Sequence, residues 1–312
     1  MTEHSSHFIG VDLGGTSLKG GLLSLDGTVK SELVKRTPVE EGREGILREL
    51  FTLIEELLEI SVDDHVRAIG IGSAGRIDPV TGTVLYATDN LPGWTGTPLS
   101  ELVEGRFGLP AFVDNDVNAA AIGETWMGLR DTVFTSSIMF ISLGTGVGGA
   151  IVHKGGIIHG ANGGAGEVGH ILLVPGGHPC NCGQNGCLEQ YGSGTALNRI
   201  ARNIEPEWNS HILLKQCTEG EPRAVRAVEG FAADLAAGII SIRNMLDPHK
   251  FIIGGGLVDS HDVWWGYLRS KLDALSGQQT MLEVAQLGNR AGLIGAAKLA
   301  MDGIARISGS WK

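Results

Sequence analysis

The stretch FIGVDLGGTSLKGGLLSLDG, residues 8–27, contains two apolar runs separated by a glycine pair and followed by an Asp-Gly dipeptide. Asp-Gly beside apolar runs is a strong signal for a tight β-hairpin turn. The pattern predicts two or three antiparallel strands, the first ending at Asp12. A related stretch, MFISLGTGVGG, recurs at residues 139–149. This second strand followed by glycines predicts a structural duplication within the chain.

The rest of the pattern alternates strands with helices. Apolar residues at helical spacing predict a helix across 44–60, a buried strand follows at 66–75, and a later strand enters a helix near Asp116. Further helices are predicted around 193–204, 222–245 and 261–275, and a last one ends the chain. The alternation predicts an α/β protein, and the length of 312 residues predicts two domains.

Composition narrows the range of partners. The net charge of −11, with no local run of Lys and Arg, argues against a nucleic-acid surface. The N-terminal residues contain no apolar signal-peptide core, and no apolar run approaches the ~18 residues of a membrane span. We therefore expect a cytoplasmic protein without membrane or nucleic-acid partners, in which clustered thiols stay reduced and favour metal binding or catalysis.

Glycine, at 48 of 312 residues, gathers in clusters beside apolar runs. Three of them, DLGGTSLKGG (12–21), GTGVGG (144–149) and IIGGGLV (252–258), offer backbone N–H groups that suit a nucleotide. In the first cluster a carboxylate beside phosphates requires a cation such as Mg²⁺. GTGVGG is followed by a strand-like stretch, whereas a dinucleotide-binding Rossmann site needs a helix there. Three structural turns remain the alternative interpretation.

The stretch VDNDVNAAAIGE, residues 113–124, places Asp114, Asn115 and Asp116 at a strand-to-helix junction. Asp and Asn are preferred helix caps, so capping is one interpretation. The other assigns Asp116 the role of general base, which accepts a proton from an attacking hydroxyl. The residue types alone favour capping.

The stretch HPCNCGQNGCLEQ, residues 178–190, holds three of the four cysteines. With His170, Cys180, Cys182 and Cys187 supply one nitrogen and three sulfurs, which is the ligand set of a closed tetrahedral zinc site. The C-x-x-C spacing of a redox pair is absent. We therefore predict a structural Zn²⁺ that rigidifies this glycine-rich loop. Four other candidate side chains are interpreted as structural: Cys217, His153, His159 and His178.

Two glutamates flank these ligands. Glu167 lies three residues before His170, and Glu189 lies two residues after Cys187, so a bound metal would hold both carboxylates in place. No Lys or Arg occurs between residues 155 and 198 to pair with them. Because each carboxylate accepts two or more hydrogen bonds, the pair suits recognition of hydroxyl groups.

Taken together, these motifs resemble the ROK family of sugar kinases. The similarity covers nearly the whole chain, through GVDLGGTSLK, NLPGW, VDNDVNAAAIGE, LGTGVGG, GEVGH, CNCGQNGCLEQYGSG and IIGGG in that order. The resemblance implies an actin-like/ribonuclease-H-like two-lobe sugar kinase fold with a zinc-braced loop. It also implies a smaller α/β domain of residues 1–116 plus 291–312 and a larger α/β domain of residues 117–290 that carries the zinc site.

The resemblance assigns roles to individual residues. Asp116 matches the family's catalytic base, which decides between the two interpretations above. The sugar-contacting positions are matched by Gly75, Asn90, Asn115, Asp116, Glu167, His170 and Glu189. The ATP-binding positions are matched by Asp12, Gly14, Gly15, Thr16 and Lys19, by Gly144, Thr145 and Gly146, and by Gly254, Gly255 and Gly256. His170 can serve both sites, with one ring nitrogen on zinc and the other toward a sugar hydroxyl.

The implied activity is ATP-dependent phosphorylation of a hexose, with glucose at its 6-hydroxyl as the leading expectation, because GCLEQYGSGTAL is most similar to bacterial members that phosphorylate glucose. Mannose, fructose and N-acetylhexosamines are alternative sugars, and polyphosphate is an alternative donor. A non-catalytic, sugar-sensing family member is a further alternative. A homo-oligomer, dimer or tetramer, is also expected. Two positions depart from the family pattern: Ser17 replaces a common Lys, and Ala74 replaces the usual Pro of the sugar loop.

Overall fold

The computed structural model describes residues 6–61, 65–129, 136–277 and 279–309, and these form two compact units. The first unit comprises the described residues within Met1–Val133, Gly155–Ala165 and Asn289–Lys312. The second comprises those within Phe134–Lys154 and Gly166–Gly288. Each unit therefore combines segments that are distant in the sequence.

The described residues form strands, α-helices and a few short helical turns. The strands are β1 (Ser6–Leu13), β2 (Ser17–Ser24), β3 (Val29–Arg36), β4 (His65–Ser73), β5 (Arg76–Ile77), β6 (Val84–Tyr86), β7 (Ala111–Asn115), β8 (Ser137–Leu143), β9 (Val147–His153), β10 (Gly156–Ile157), β11 (Lys250–Gly254) and β12 (Leu282–Val284). The α-helices are α1 (Gly42–Ile60), α2 (Leu99–Phe107), α3 (Asp116–Gly123), α4 (Glu189–Gly192), α5 (Gly194–Ile204), α6 (Ser210–Thr218), α7 (Pro222–Leu246), α8 (His261–Leu275) and α9 (Ala291–Ile307). Short 3₁₀ helices lie at Val39–Glu41, Val168–His170, Gly256–Ser260 and Gly288–Arg290, and a π-helical turn, Glu124–Gly128, follows α3. Within these described ranges, no helix combines the length and apolar character that crossing a membrane requires.

The first unit is built on the hairpin that the opening stretch predicts. β1 and β2 are antiparallel, and β2 continues into an antiparallel β3 through the turn at Gly27, whose φ is 85°. β4 and β7 add in parallel, which gives the strand order β3-β2-β1-β4-β7. On β2, Gly20 lies against α1 and Gly21 lies against α9. Because successive residues of a strand point to opposite faces, these two helices cover the two faces of the sheet.

The second unit repeats this arrangement. β8 and β9 form an antiparallel hairpin, β11 pairs in parallel with β8, and β12 pairs in parallel with β11. The order β9-β8-β11-β12 thus matches β2-β1-β4-β7 of the first unit, so the predicted duplication is confirmed. A strand, β9, begins within GTGVGG at Val147, where a Rossmann site would need a helix to follow, so the predicted strand is confirmed.

Two helices, α1 and α9, contribute buried residues to the core of the first unit. α1 buries six aliphatic side chains at the predicted spacing, and burial of such a side chain stabilises the fold by about 1.5–3 kcal/mol. They are Ile46, Leu47, Leu50, Leu53, Ile54 and Leu57. α9 packs directly on the sheet backbone: a Cβ added to Gly70 of β4 would lie 2.6 Å from the carbonyl carbon of Ala296. Glycine at this position is what allows so close a contact.

The helix α3, which begins at Asp116, packs with the first unit. A Cβ added to Gly295 of α9 would lie 2.8 Å from the backbone nitrogen of Gly123 at the end of α3, so the two helices cross in backbone contact. The sequence-based division ends the first domain at residue 116, whereas by packing α3 and residues 155–165 group with the first unit. The division into domains at residues 116 and 291 stays a prediction.

Candidate active site

The junction between β7 and α3 carries the predicted general base. Asn115 is the N-cap of α3, because its side-chain oxygen accepts hydrogen bonds from the backbone nitrogens of Val117 and Asn118 at 2.9 and 3.1 Å. Asp116 follows, and its Oδ1 accepts hydrogen bonds from the Val117 nitrogen at 3.0 Å and from Asn115 Nδ2 at 2.9 Å. Capping is therefore done by Asn115, and Oδ2 of Asp116 is the oxygen that can take part in proton transfer.

The charge state of Asp116 suits that role. Burial, together with the negative charge of Asp12, raises the pKa of Asp116 from 3.8 to about 7. Burial also raises the pKa of Asp12, and the charge of Lys19, whose Nζ lies 3.9 Å from Asp12 Oδ2, opposes this rise. A general base works best when its pKa lies near the working pH. The geometry thus places a base with a near-neutral pKa beside a second carboxylate and a cation.

The first glycine-rich turn lies between β1 and β2, next to Asp12. The backbone nitrogen of Gly14 donates to the carbonyl of Ser17 at 3.1 Å, which closes the turn, and Thr16 is exposed. From the other side, Gly292 at the start of α9 approaches Asp12 so closely that an added Cβ would lie 2.6 Å from the carboxyl carbon. Gly292 is a functional candidate that the sequence does not single out; a glycine in the first turn of α9 was the available signal.

The predicted sugar positions of the first unit surround the same junction. Gly75 has φ 109°, a backbone conformation that side chains rarely adopt, and its carbonyl accepts a hydrogen bond from Asn115 Nδ2 at 2.9 Å. Asn90 is exposed in a turn, and a Cβ added to Gly15 would lie 3.3 Å from its carbonyl oxygen. The first unit therefore brings Gly75, Asn115 and Asp116 together and sets Asn90 against the glycine-rich turn.

In the second unit, the four predicted zinc ligands converge. One ring nitrogen of His170 and the sulfurs of Cys180, Cys182 and Cys187 all lie within 4.8 Å of one another. Cys182 and Cys187 are 3.5 Å apart at their sulfurs, and Cys180 Sγ is 3.6 Å from His170 Nδ1. In a tetrahedral site with Zn–S bonds of about 2.3 Å, sulfurs lie about 3.8 Å apart. The cluster fits a structural zinc ion, and coordination through Nδ1 leaves Nε2 of His170 for another partner.

Glu189 and Glu167 differ in how firmly they are held. Glu189 opens α4; its Oε2 accepts a hydrogen bond from the backbone nitrogen of Val147 at 3.1 Å, and its Oε1 lies 3.7 Å from Cys180 Sγ. Glu167 is exposed at the start of the 3₁₀ helix that carries His170. The Glu189 carboxylate therefore lies between the cysteine cluster and the second glycine-rich hairpin, a placement that the sequence does not reveal.

The remaining glycine clusters lie at strand ends, as predicted. The turn Gly144–Gly146 joins β8 to β9, and α5 holds it in place: Gly194 donates to the carbonyl of Gly144 at 2.8 Å, and Thr195 Oγ1 donates to the carbonyl of Thr145 at 2.7 Å. A Cβ added to Gly144 or to Gly256 would meet no atom within 4 Å. Gly254 ends β11, Gly255 has φ 85°, and Gly256 begins a 3₁₀ helix. Open space above such backbone suits a nucleotide.

Comparison with known proteins finds relatives over nearly the whole length of this chain. The sequence profile of the ROK family matches residues 8–303. A glucokinase of Halalkalibacterium halodurans is 34% identical, over 94% of this chain and 94% of its own length. The structure of a ROK family glucokinase from Streptomyces griseus in complex with glucose and AMPPNP is 35% identical, with a TM-score of 0.80 over 95% of this chain and all of that one. The ROK hexokinase of Thermus thermophilus is 32% identical, with a TM-score of 0.84 over 96% and 99% of the two chains.

Proposed function

This chain belongs to the ROK family and has its actin-like/ribonuclease-H-like two-lobe α/β fold, and on that premise we propose that it is an ATP-dependent glucokinase. The reaction is transfer of the γ-phosphoryl group of ATP to the 6-hydroxyl of glucose. The observation that carries the proposal is Asp116, which is fixed through Oδ1 at a helix N-terminus and has a pKa of about 7. Glucokinase relatives at 33–36% identity over nearly the whole chain support glucose as the acceptor.

In the proposed reaction, Oδ2 of Asp116 accepts the proton of the sugar hydroxyl while the hydroxyl oxygen forms a bond to the γ-phosphorus. The bond between that phosphorus and the β–γ bridging oxygen breaks, and ADP leaves with the electron pair. Because two hydrogen bonds hold Oδ1, Oδ2 keeps one orientation. A base positioned in this way contributes about 10²–10⁴-fold to the rate.

The phosphates of ATP carry negative charge that the protein must stabilise. Lys19 and the backbone N–H groups of Gly15, Thr16, Thr145 and Gly146 are the groups we assign to this task. Mg²⁺ bound with ATP supplies further neutralisation, and Asp12 fits its neighbourhood, because carboxylates are preferred Mg²⁺ ligands and this side chain remains 22% exposed.

Zn²⁺ is the metal that the donor set fits best, since three thiols and an imidazole form a closed site with no position for substrate. His170, Cys180, Cys182 and Cys187 would hold it. Its proposed role is to fix the loop that carries Glu189 and to orient His170, so that Nε2 can contact a sugar hydroxyl.

The experiment that tests the proposal is a coupled assay of ADP release with glucose, mannose, fructose, N-acetylglucosamine and N-acetylmannosamine, using ATP and then polyphosphate as donor. We expect the highest kcat/KM with glucose and ATP. A higher value with another sugar or donor would transfer the assignment to that compound. No turnover with any pair, together with measurable glucose binding, would favour a non-catalytic sugar sensor.

Asp116→Asn tests the base separately. We expect turnover to fall by about 10²–10⁴-fold with glucose binding retained. Asp262→Asn is the matched control, because that carboxylate is 94% exposed on α8. Near-normal turnover of Asp116→Asn would overturn the mechanism.

Two properties complete the proposal without bearing on the chemistry. We expect the enzyme in the cytoplasm, where ATP is available and a thiol cluster stays reduced. A dimer or tetramer remains a prediction from the family resemblance, and light scattering measures it.

A further inference from the structure

His159, which has no role in the proposed function, contacts Asp114 at the junction between β7 and α3. His159 lies on residues 155–165, which pack with the first unit although the neighbouring residues Lys154 and Gly166 belong to the second. Its Nε2 lies 2.7 Å from Oδ2 of Asp114, the next-to-last residue of β7. The backbone nitrogen of Ala165 donates to the carbonyl of His159 at 3.0 Å, which closes this segment into a loop.

Asp114 is a buried carboxylate whose two oxygens have different hydrogen-bond partners. Its side chain is 6% exposed, whereas that of His159 is 26% exposed. Oδ1 accepts hydrogen bonds from the Asn115 nitrogen at 2.7 Å and from Asn118 Nδ2 at 2.8 Å. Oδ2 faces His159. Removing the histidine would leave a buried carboxylate oxygen without this partner, which is costly in a protein interior.

The hydrogen bonds continue from Asp114 to the base. The Asn115 nitrogen that donates to Asp114 belongs to the residue whose Nδ2 donates to Asp116 Oδ1 and to the Gly75 carbonyl, both at 2.9 Å. Asp114 therefore holds the N-cap residue through its backbone, and the N-cap residue holds both the base and the sugar-loop glycine. A shift of Asp114 would be passed to Asp116 through two hydrogen bonds.

We propose that His159 is a positioning residue for the catalytic base: by fixing Asp114, it sets the orientation of Asn115 and thereby of Asp116 Oδ2. The inference rests on the proposed role of Asp116 as general base. His159 does not touch substrate in this scheme. Its effect is on how often Asp116 Oδ2 points at the reacting hydroxyl, so it acts on the chemical step, where misplacement by about 1 Å costs up to about 10²-fold.

A matched pair of amides tests this inference. His159→Gln keeps an N–H donor at nearly the reach of Nε2, whereas His159→Asn carries the same group on a side chain one methylene shorter. We expect His159→Asn to lower kcat about tenfold or more while changing KM for ATP less than about twofold, and His159→Gln to retain most of kcat. Equal kcat values for the two variants, or a loss confined to KM for ATP, would overturn the inference.

A double-mutant cycle separates positioning from general loss of structure. If His159 acts only through Asp116, adding His159→Asn to Asp116→Asn should reduce the residual kcat by less than about twofold. A further fall in kcat as large as that caused by His159→Asn alone would mean that His159 acts elsewhere. Thermal unfolding of each variant shows whether the variant is still folded. If Asp116→Asn alone keeps normal turnover, the proposed mechanism fails; if Asp116→Asn is inactive and His159→Asn is fully active, only the present inference fails.

Discussion

The pH dependence of turnover tests the assignment of Asp116 most directly. Asp116 accepts a proton only as a carboxylate, and burial together with the charge of Asp12 raises its pKa from 3.8 to about 7. Since one pKa unit corresponds to about 1.4 kcal/mol, ionising this group costs about 4 kcal/mol more than ionising an ordinary aspartate. At about pH 6, roughly one molecule in ten would carry the active carboxylate, whereas an aspartate with an unshifted pKa would be almost fully ionised.

We therefore expect kcat/KM for glucose to rise about tenfold per pH unit up to a break near pH 7 and to level off above it. The measurement is the initial rate of ADP release at saturating ATP and constant ionic strength, between about pH 5.5 and pH 8.5. The unfolding temperature at each pH serves as the control, because it separates titration of the base from loss of folded enzyme.

Asp12→Asn supplies a second arm of the same experiment. The charge of Asp12 is the largest cause of the raised Asp116 pKa after burial, so removing it should move the break in the residual activity to lower pH. A flat profile between about pH 5.5 and pH 8 would refute a base with a raised pKa. A break near pH 7 that Asp12→Asn leaves unchanged would mean that another group, such as ATP itself, sets the profile.

Gly292→Ala is expected to raise KM for ATP, because the new Cβ would lie 2.6 Å from the carboxyl carbon of Asp12. The matched control is Gly230→Ala, which adds its methyl group to open space on α7. Equal KM values for the two variants would count against a nucleotide role for Asp12. Gly144→Val should fold normally, since no atom lies within 4 Å of the added Cβ, and should lose ATP affinity, which nucleotide titration measures; unchanged affinity would mark GTGVGG as a plain turn. Elemental analysis should find one zinc ion per chain in the wild type. Cys182→Ser should lose this metal and bind glucose more weakly. A metal-free wild type with full activity would exclude the zinc site.

The elements that the sequence predicts are those with a local physical cause. The hairpin at Gly27 follows from turn chemistry within four residues, and α1 follows from the spacing of its aliphatic side chains. The three cysteines lie within eight residues, so their convergence needs only one tight loop, and His170 is close enough in the chain to join them. The spacing of apolar residues does not predict α2 or α6, because each helix is only nine residues long and its apolar residues recur weakly at helical spacing.

Only the tertiary structure decides the properties that depend on long-range contacts. Asp116 looks like a helix cap in the sequence, but in the structure Asn115 is the cap. The pKa of Asp116 depends on burial and on Asp12, which lies more than a hundred positions earlier in the chain. His159 reads as an ordinary loop histidine until the fold brings it to Asp114. The physical reason is that turn and helix preferences are energies of neighbouring residues, whereas desolvation and Coulomb interactions depend on distances that exist only after the chain has packed.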